Sequence, residues 1–186
     1  AQLSRGLGDV YKRQVTLSRG SSTTRNHDYY LKNDSIGGDL EFQSEFNGNK
    51  LTYGLDFSEV DTSRLRTTKT VGGSTSEAKD TPDTKITRLG AYLQDEVSLG
   101  KFDFIAGLRF DNYDLDAKGD SLVSESVAKD LSADELTPKI AATYNFTDKF
   151  TGYTSYSKGF RAPAYYEVNA NFSNPRFGYT TISNPN

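Results

Sequence analysis

Residues 36–58 read IGGDLEFQSEFNGNKLTYGLDFS, two alternating stretches separated by a short turn. Every second residue from Ile36 to Phe46 is apolar or small, and the residues between them are Gly, Asp, Glu and Gln. Leu51 to Phe57 alternate in the same way with Thr, Gly and Asp. A period of two is typical of strands with one apolar face. The intervening Asn-Gly-Asn can supply the positive φ angles of a tight turn, so the stretch predicts a β-hairpin.

The same alternation continues along the chain. It predicts further strands at residues 89–97, 102–110, 139–146 and 150–157, and a weaker one within residues 15–34. The last of the clear strands has aromatic residues on both faces, so its orientation stays open. Short turns at Gly48, Gly100 and Asp148 follow one another at intervals of 52 and 48 residues. Residues 60–85 and 114–134 are polar and are predicted to form long loops.

Short turns that alternate with long loops are typical of a transmembrane β-barrel, in which the short turns face the periplasm. Phenylalanines near the three turns predict an aromatic girdle at one membrane interface: Phe46, Phe102, Phe104, Phe146 and Phe150. The polar faces of the strands suit a water-filled lumen. We therefore expect an all-β fold, an antiparallel transmembrane β-barrel segment of about seven or eight strands.

The composition agrees with this fold and narrows the function. Only 34% of the residues are hydrophobic, and no apolar run is long enough for a transmembrane helix. Alternating barrel strands escape that test because their average is polar. The net charge of -3 argues against a nucleic-acid partner, which favours a basic surface. The chain has no cysteine, which excludes disulfides and thiolate metal sites, and no catalytic constellation, so we predict that it is not an enzyme.

A break in the strand pattern occurs in SKGFRAPAYYE, residues 157–167. Pro163 has no N–H to give to a strand ladder and biases Ala162 towards an extended conformation, so an irregular segment begins here. Its Phe-Arg-Ala-Pro, followed after a loop by Asn184-Pro185-Asn186, resembles the paired FRAP and NPN-leucine boxes of TonB-dependent outer-membrane receptors. The most similar of these receptors are those for haem, haemoglobin, transferrin or lactoferrin.

Two earlier stretches, AYLQDE at residues 91–96 and GLRFD at residues 107–111, also resemble barrel strands of these receptors. The resemblance covers residues 36–186. It implies that residues 15–186 form part of a larger barrel, of 22 strands in plugged transporters, and that the plug domain is absent from this chain. We expect a receptor fragment without transport activity of its own.

The function implied by the resemblance is active uptake of an iron source: haem, haemoglobin, another iron-carrying protein or a siderophore. The implied location is the outer membrane of a Gram-negative bacterium. The implied partners are the inner-membrane TonB energy-coupling complex, contacted through the plug, the lipid of the outer membrane, and a host haem- or iron-carrying protein.

The resemblance also implies that ligand binds in the extracellular loop after the last strand. The expected residues are Phe160, Arg161, Pro163, Tyr165, Tyr166, Tyr179, Asn184, Pro185 and Asn186. Residues 164–183 contain no histidine, so we expect no resident cofactor, and haem or a ferric chelate only as the transported ligand. Tyrosine phenolate can ligate haem iron, although contact with a protein partner or packing of the loop is the preferred role of these tyrosines. Arg161 could hold a ligand carboxylate or pair with Glu167.

Two other features raise the question of a metal site. Residues 114–125 place Asp, Asp, Gly and Glu at EF-hand positions, but Lys118 stands where calcium needs an oxygen ligand. We therefore prefer a solvated acidic loop. His27 is the only histidine and has no ligand-type neighbours in sequence, so we interpret it as a bystander. No metal site is predicted.

The N-terminal residues 1–14 lack the apolar core and cleavage site of a signal peptide. Their RGLGDVYKRQ resembles translated sequencing adapter, and we predict that residues 1–14 are a non-native segment in place of the true N-terminal portion. Two alternatives to a receptor fragment stay open. One is a small eight-stranded outer-membrane barrel with a structural or adhesive role, and the other is a soluble β-sandwich binding module.

Overall fold

The computed structural model describes residues 2–6, 11–17, 25–169, 172–174 and 178–181, and it describes side chains within residues 25–169. The elements are β1 (Gln2–Gly6), β2 (Tyr11–Leu17), β3 (Arg25–Phe46), β4 (Asn49–Thr70), β5 (Thr75–Ala78), β6 (Asp83–Leu99), β7 (Phe102–Lys118), β8 (Leu131–Thr147), β9 (Phe150–Ser157), α1 (Tyr165–Val168), β10 (Phe172–Asn174) and β11 (Tyr179–Thr181). No helix in these ranges is long and apolar enough to cross a membrane.

One antiparallel sheet contains nine of the strands. Its order is β1-β3-β4-β6-β7-β8-β9, with β2 also paired to β3 and β5 to β4, while β10 and β11 form a separate pair. The long strands β3, β4, β6, β7, β8 and β9 are neighbours in chain order, and the sheet curls into half a barrel. The prediction of an all-β antiparallel barrel segment is confirmed. The backbone of β1 and β2 lies in this sheet beside β3, and the non-native origin of residues 1–14 stays a prediction.

The three short turns lie where the sequence predicts them. Each is a two-residue connection, between β3 and β4, between β6 and β7, and between β8 and β9. Asn47 and Gly48 have φ angles of 49° and 82°, and Gly100 has a φ of 64°. Positive φ at both central residues matches the right-handed twist of the strands, which explains the Asn-Gly pair at the first turn.

The apolar face of the alternating pattern is exposed. Ile140 and Phe150 are 60% and 62% exposed, as large as values for loop residues. In β3 this exposed apolar face extends from Ile36 to Phe46, eleven residues, and in β7 from Phe102 to Phe110, nine residues. A tilted strand needs about 9–11 residues to cross a bilayer. The face therefore has the length and character of a lipid-facing band, and we call the opposite, polar face the lumen face.

Four of the five predicted aromatic residues near the short turns, together with Tyr144, form a row of contacting rings on the exposed apolar face. The fifth, Phe46, is exposed on the same face. Phe102 lies 5.6 Å from Phe104 and 4.4 Å from Tyr144, measured between ring centroids. Tyr144 lies 4.7 Å from Phe146, which lies 5.2 Å from Phe150. Rings packed at one end of the band match the girdle of a membrane interface.

The lumen face carries an ion-pair cluster opposite the lipid-facing band. The guanidinium of Arg109 donates to both carboxylate oxygens of Asp56, at 2.7 and 3.0 Å, and to Asp111 at 2.8 Å. A Cβ at position 90 would lie 2.2 Å from a guanidinium nitrogen of Arg109 and 2.5 Å from a carboxylate oxygen of Asp56, so a side chain there would push these two groups aside. We call Arg109, Asp56 and Asp111 the lumen cluster. The cluster holds the arginine between two carboxylates, so its net charge is not positive.

The long loops predicted at residues 60–85 and 114–134 are wrong in extent. β4 continues to Thr70, β7 runs to Lys118, and β8 begins at Leu131. Beyond the lipid-facing band the outer side chains are polar too, so the alternation disappears from the sequence while the backbone pairing continues. Asp114 to Lys118 are consequently part of β7 and not of an acidic loop, and the Glu125 carboxylate accepts a hydrogen bond from the N–H of Gly119 at 2.7 Å.

Candidate functional site

After β9 the chain leaves the sheet and crosses the lumen face. The backbone N–H of Lys158 still donates to Pro138, at 3.0 Å, and its ammonium pairs with Glu135 at 2.5 Å. The backbone then turns away, as the sequence predicts from the proline at position 163. We call residues 158–169 the loop strap. It ends in the single helical turn α1.

An apolar cluster holds the loop strap against the sheet. Its fully buried members are Tyr113 and Leu115 of β7, each 1% exposed, together with Val168 of α1. Residues of the loop strap that pack against this cluster are Phe160, Ala162 and Tyr165. The Tyr113 hydroxyl donates to the backbone carbonyl of Pro163 at 2.9 Å. Strand alternation places Tyr113 and Leu115 on the lumen face, further from the short turns than the polar lumen cluster. Apolar side chains are stable there because the loop strap covers them.

A second anchor joins the loop strap to the loop between β7 and β8. The side chain of Asn169 is fully buried. Its oxygen accepts from the backbone N–H of Lys129 at 2.7 Å, and its amide donates to the Lys129 carbonyl at 2.9 Å. The Asn169 side chain thus satisfies both backbone groups of Lys129, as a neighbouring strand would. These two bonds fix the end of the loop strap.

Arg161 points away from the sheet and already has a partner. Its guanidinium donates to both carboxylate oxygens of Glu167, at 2.5 and 2.6 Å, and its side chain is 75% exposed. The hydrogen bond from the Ala164 N–H, followed by that from Arg161, lowers the pKa of Glu167 below its ordinary value. The sequence left two partners open for Arg161, a ligand carboxylate or Glu167, and in the structure it pairs with Glu167. A ligand carboxylate would have to compete with it.

The other predicted ligand residues fall into three groups. Phe160, Pro163 and Tyr165 are partly buried in the loop strap, whereas Tyr166 is 53% exposed and meets the Tyr165 ring edge-on at 5.5 Å. Tyr179 belongs to β11, for which only the backbone is described. The segment Asn184-Pro185-Asn186 lies outside the described residues. Five of the nine predicted residues therefore lie in the loop strap: Arg161 and the four just described. Their role in ligand binding stays a prediction.

The loop strap roofs a pocket that sequence reasoning missed. The pocket encloses about 360 Å³ and contains Arg88 of β6 and Tyr113 of β7, with Phe160 above them. Arg88 and Tyr113 are 25 positions apart but pair directly across β6 and β7. The turn at Gly100 is the sequence signal that could have found them. Leu99 and Phe102 pair on either side of this turn, and eleven residues further along each strand the same register places Arg88 opposite Tyr113.

A buried lysine links the two long loops beyond the membrane band. Lys79 is 9% exposed and binds Asp83 at 2.7 Å and Asp120 at 2.6 Å, an arrangement we call the Lys79 latch. Burial works to lower the pKa of Lys79, but its hydrogen bonds to Asp120 and Asp83 outweigh burial and raise it. The hydrogen bond from Lys79, followed by that from the Leu122 N–H, lowers the pKa of Asp120. The latch fixes the loops around the mouth of the lumen.

Metal-binding residue types do not gather anywhere in the described part of the chain in groups of three or more. His27 lies on β3, where its Nδ1 is 2.9 Å from the hydroxyl of Thr68. What the described residues offer a ligand is therefore the aromatic and charged surface of the loop strap and the pocket beneath it.

Comparison with known proteins identifies a family whose model matches this chain. The model of the family described as TonB dependent receptor-like, beta-barrel matches residues 2–186. No curated protein matches the chain.

Proposed function

The chain belongs to the TonB-dependent receptor-like β-barrel family, and from this premise we propose that it builds the barrel wall of a receptor for active uptake of an iron source. Membership implies the outer membrane of Gram-negative bacteria and an interaction with TonB. The family is one of receptors and transporters and not of enzymes. The iron source that we propose is haem, haemoglobin, another iron-carrying protein or a siderophore.

The observation that carries the proposal is the division of the sheet into two faces. A lipid-facing band of 9 to 11 residues per strand lies opposite a polar lumen face, and the loop strap covers that lumen face at the end away from the short turns. Exposed apolar area of this extent is unfavourable in water but stable in lipid. A water-filled passage whose mouth is covered by an anchored loop suits a receptor that selects its cargo.

The proposed ligand surface is the solvent side of the loop strap. Tyr166 is exposed there, and the Arg161–Glu167 pair lies beside it. Aromatic rings and a polarised ion pair can contact a protein carrier as well as a flat chelate. A host haem- or iron-carrying protein is therefore part of the proposal, and haem enters it as cargo and not as a resident cofactor.

Growth under iron limitation tests the proposal. A strain that lacks the gene is supplied in turn with haemin, haemoglobin, ferric citrate and a hydroxamate siderophore, and is complemented with the intact receptor. We expect the receptor to restore growth on at least one source, and to fail when TonB is also deleted. Growth that is independent of the receptor on every source would overturn the proposed uptake.

Family membership favours this function over the two alternatives. A soluble β-sandwich buries the apolar faces of its strands against one another, whereas here those faces are exposed. Neither the small adhesive barrel nor the soluble module has a specific observation in its favour.

A further inference from the structure

The pocket beneath the loop strap holds a cation that the fold does not use. It is lined by two arginines, Arg88 and Arg109, by the ring of Tyr113, by the apolar roof of Phe160 and Ala162, and by the polar residues Asp111, Asn112 and Thr137. The one acid among them, Asp111, accepts a hydrogen bond from Arg109. The pocket lies on the lumen face, at the end of the lipid-facing band that is away from the short turns. Its volume of about 360 Å³ lies within the range of small-molecule sites, about 300–1,000 Å³.

Arg109 is not available to a ligand. Both of its terminal nitrogens and its Nε are engaged by the carboxylates of the lumen cluster. Any anion that approaches Arg109 meets the carboxylates of Asp56 and Asp111 first. The binding capacity of the pocket therefore depends on the other arginine.

Arg88 has no carboxylate within ion-pair distance among the described residues. Its recorded contact is with the Tyr113 ring, whose centroid lies 5.4 Å from the guanidinium carbon. Its direct neighbours across the sheet are Ser58 and Tyr113, neither of them an acid. A guanidinium has five donors in a planar fork that fits a carboxylate. In this pocket the fork lies over the Tyr113 ring and beside the apolar residues Phe160 and Ala162.

We propose that this pocket is a binding subsite for the carboxylate of a ferric chelate that carries an apolar or planar body. Arg88 receives the carboxylate, and Tyr113, Phe160 and Ala162 contact the body. This inference deepens the proposed function, on which it rests, by naming the chemistry of the cargo. It also separates two arginines: Arg161 on the solvent side of the loop strap pairs with Glu167, whereas Arg88 on the covered side has no carboxylate partner among the described residues.

The roof of the subsite is held by bonds that do not involve Arg88. The hydroxyl of Tyr113 fixes the carbonyl of Pro163, and Asn169 fixes the backbone of Lys129. Replacement of Arg88 should therefore remove the charge and leave the pocket walls in place. This makes the arginine suitable for a binding test.

The test uses the intact receptor, purified from outer membranes in a zwitterionic detergent, with haemin, haemin dimethyl ester and ferric citrate as probes. Affinities are measured by calorimetry for the wild type and for Arg88→Gln and Arg88→Lys. Arg64→Gln is the matched control, since Arg64 is an exposed arginine of β4 that does not line the pocket. Heat-modifiable migration in gels verifies that each variant is folded.

We expect Arg88→Gln to weaken binding of at least one carboxylate probe by about 10- to 100-fold, the range of a lost charge-assisted hydrogen bond. Arg88→Lys should recover part of it, and Arg64→Gln should bind like the wild type. The dimethyl ester, which has the same ring without carboxylates, should bind weakly and equally to all variants. Unchanged affinities in Arg88→Gln would overturn the subsite, and so would the absence of binding by both carboxylate probes. If the receptor supports growth on an iron source but shows either result, the subsite fails while the proposed uptake stands.

Discussion

Replacement of Asn169 by Ala removes both hydrogen bonds that tie the loop strap to the backbone of Lys129. A buried backbone group left without a partner costs about 1–3 kcal/mol. Two such groups give about 2–6 kcal/mol, and water that enters beside the exposed Lys129 side chain reduces this to about 2–3 kcal/mol. We expect the free energy for local opening of the loop strap to fall by this amount, while the sheet keeps its stability.

Hydrogen exchange followed by mass spectrometry measures this opening in the intact receptor. The reporter amides are those of Val168 and of position 169, which donate to Ala164 and Tyr165 within α1. Since about 1.36 kcal/mol corresponds to a tenfold change, the exchange rates of these amides should rise about 30- to 150-fold. Exchange in the hairpin of β6 and β7 should be unchanged.

The matched control is Lys129→Ala. The two hydrogen bonds end on the backbone of Lys129, so the loss of its exposed side chain should leave the exchange of the loop strap unchanged. If Asn169→Ala exchanges as slowly as the wild type, the Asn169 anchor does not hold the strap, and the reasoning from its buried bonds is refuted.

Three further outcomes are expected. Gly90→Val forces a side chain into the lumen cluster, where even a Cβ would lie 2.2 Å from a guanidinium nitrogen, and should lower the free energy of unfolding in urea by about 1–3 kcal/mol; an unchanged midpoint contradicts the close packing. Leu93→Arg places a cation in the lipid-facing band and should reduce the amount of folded receptor in heat-modifiable gels, at a cost of about 2–4 kcal/mol, whereas Gln94→Arg on the lumen face should accumulate normally; equal accumulation contradicts the assignment of faces. Acid should release the Lys79 latch. Because the folded pKa of Asp120 lies below its ordinary value of 3.8, the stabilisation is complete above that value and is lost as the pH falls through the lower folded pKa. Hydrogen exchange of the loops at graded pH should show this loss, and Lys79→Gln should make the pH dependence smaller, since only the backbone hydrogen bonds to Asp120 then remain.

The sequence was sufficient for the part of the fold that lipid determines. Within the band, each strand must present an apolar residue at every second position, so the alternation from Ile36 to Phe46 and its neighbours predicts strands, turns and faces together. The two-residue turns then fix the register of each hairpin. The aromatic residues predicted near the turns lie on this exposed face, as a membrane interface that selects aromatic side chains at a definite depth would favour.

Beyond the band the sequence carries less information. Thr62 to Thr70 in β4 and Asp114 to Lys118 in β7 continue as strands although the sequence there lost its alternation. Water tolerates polar side chains on the outer face, and the lumen face becomes apolar at Tyr113 and Leu115 because the loop strap covers it. The two faces thus exchange character at this level, and a pattern search that assumes one apolar side reads the change as a loop.

The candidate site was predictable only in part. The Phe-Arg-Ala-Pro segment is visible in the sequence because proline ends the strand, but its contacts depend on which distant residues the register brings beneath it. Nothing local to Arg88 distinguishes it from other arginines of polar strands. Its interest comes from two facts of the fold, the ring of Tyr113 opposite it and the absence of a carboxylate among its described neighbours.

The anchors of the loop strap explain how one segment can have two surfaces with different duties. Tyr113 and Asn169 both bind backbone groups, those of Pro163 and Lys129, so these two anchors do not use the side chains of Pro163 and Lys129. The Arg161–Glu167 pair, by contrast, joins two side chains on the solvent side. Changes on that side leave the roof of the pocket where it is. Under the proposed function, a chelate that binds on the solvent side would have to pass the edge of the strap, or displace its anchors, before a carboxylate reached Arg88.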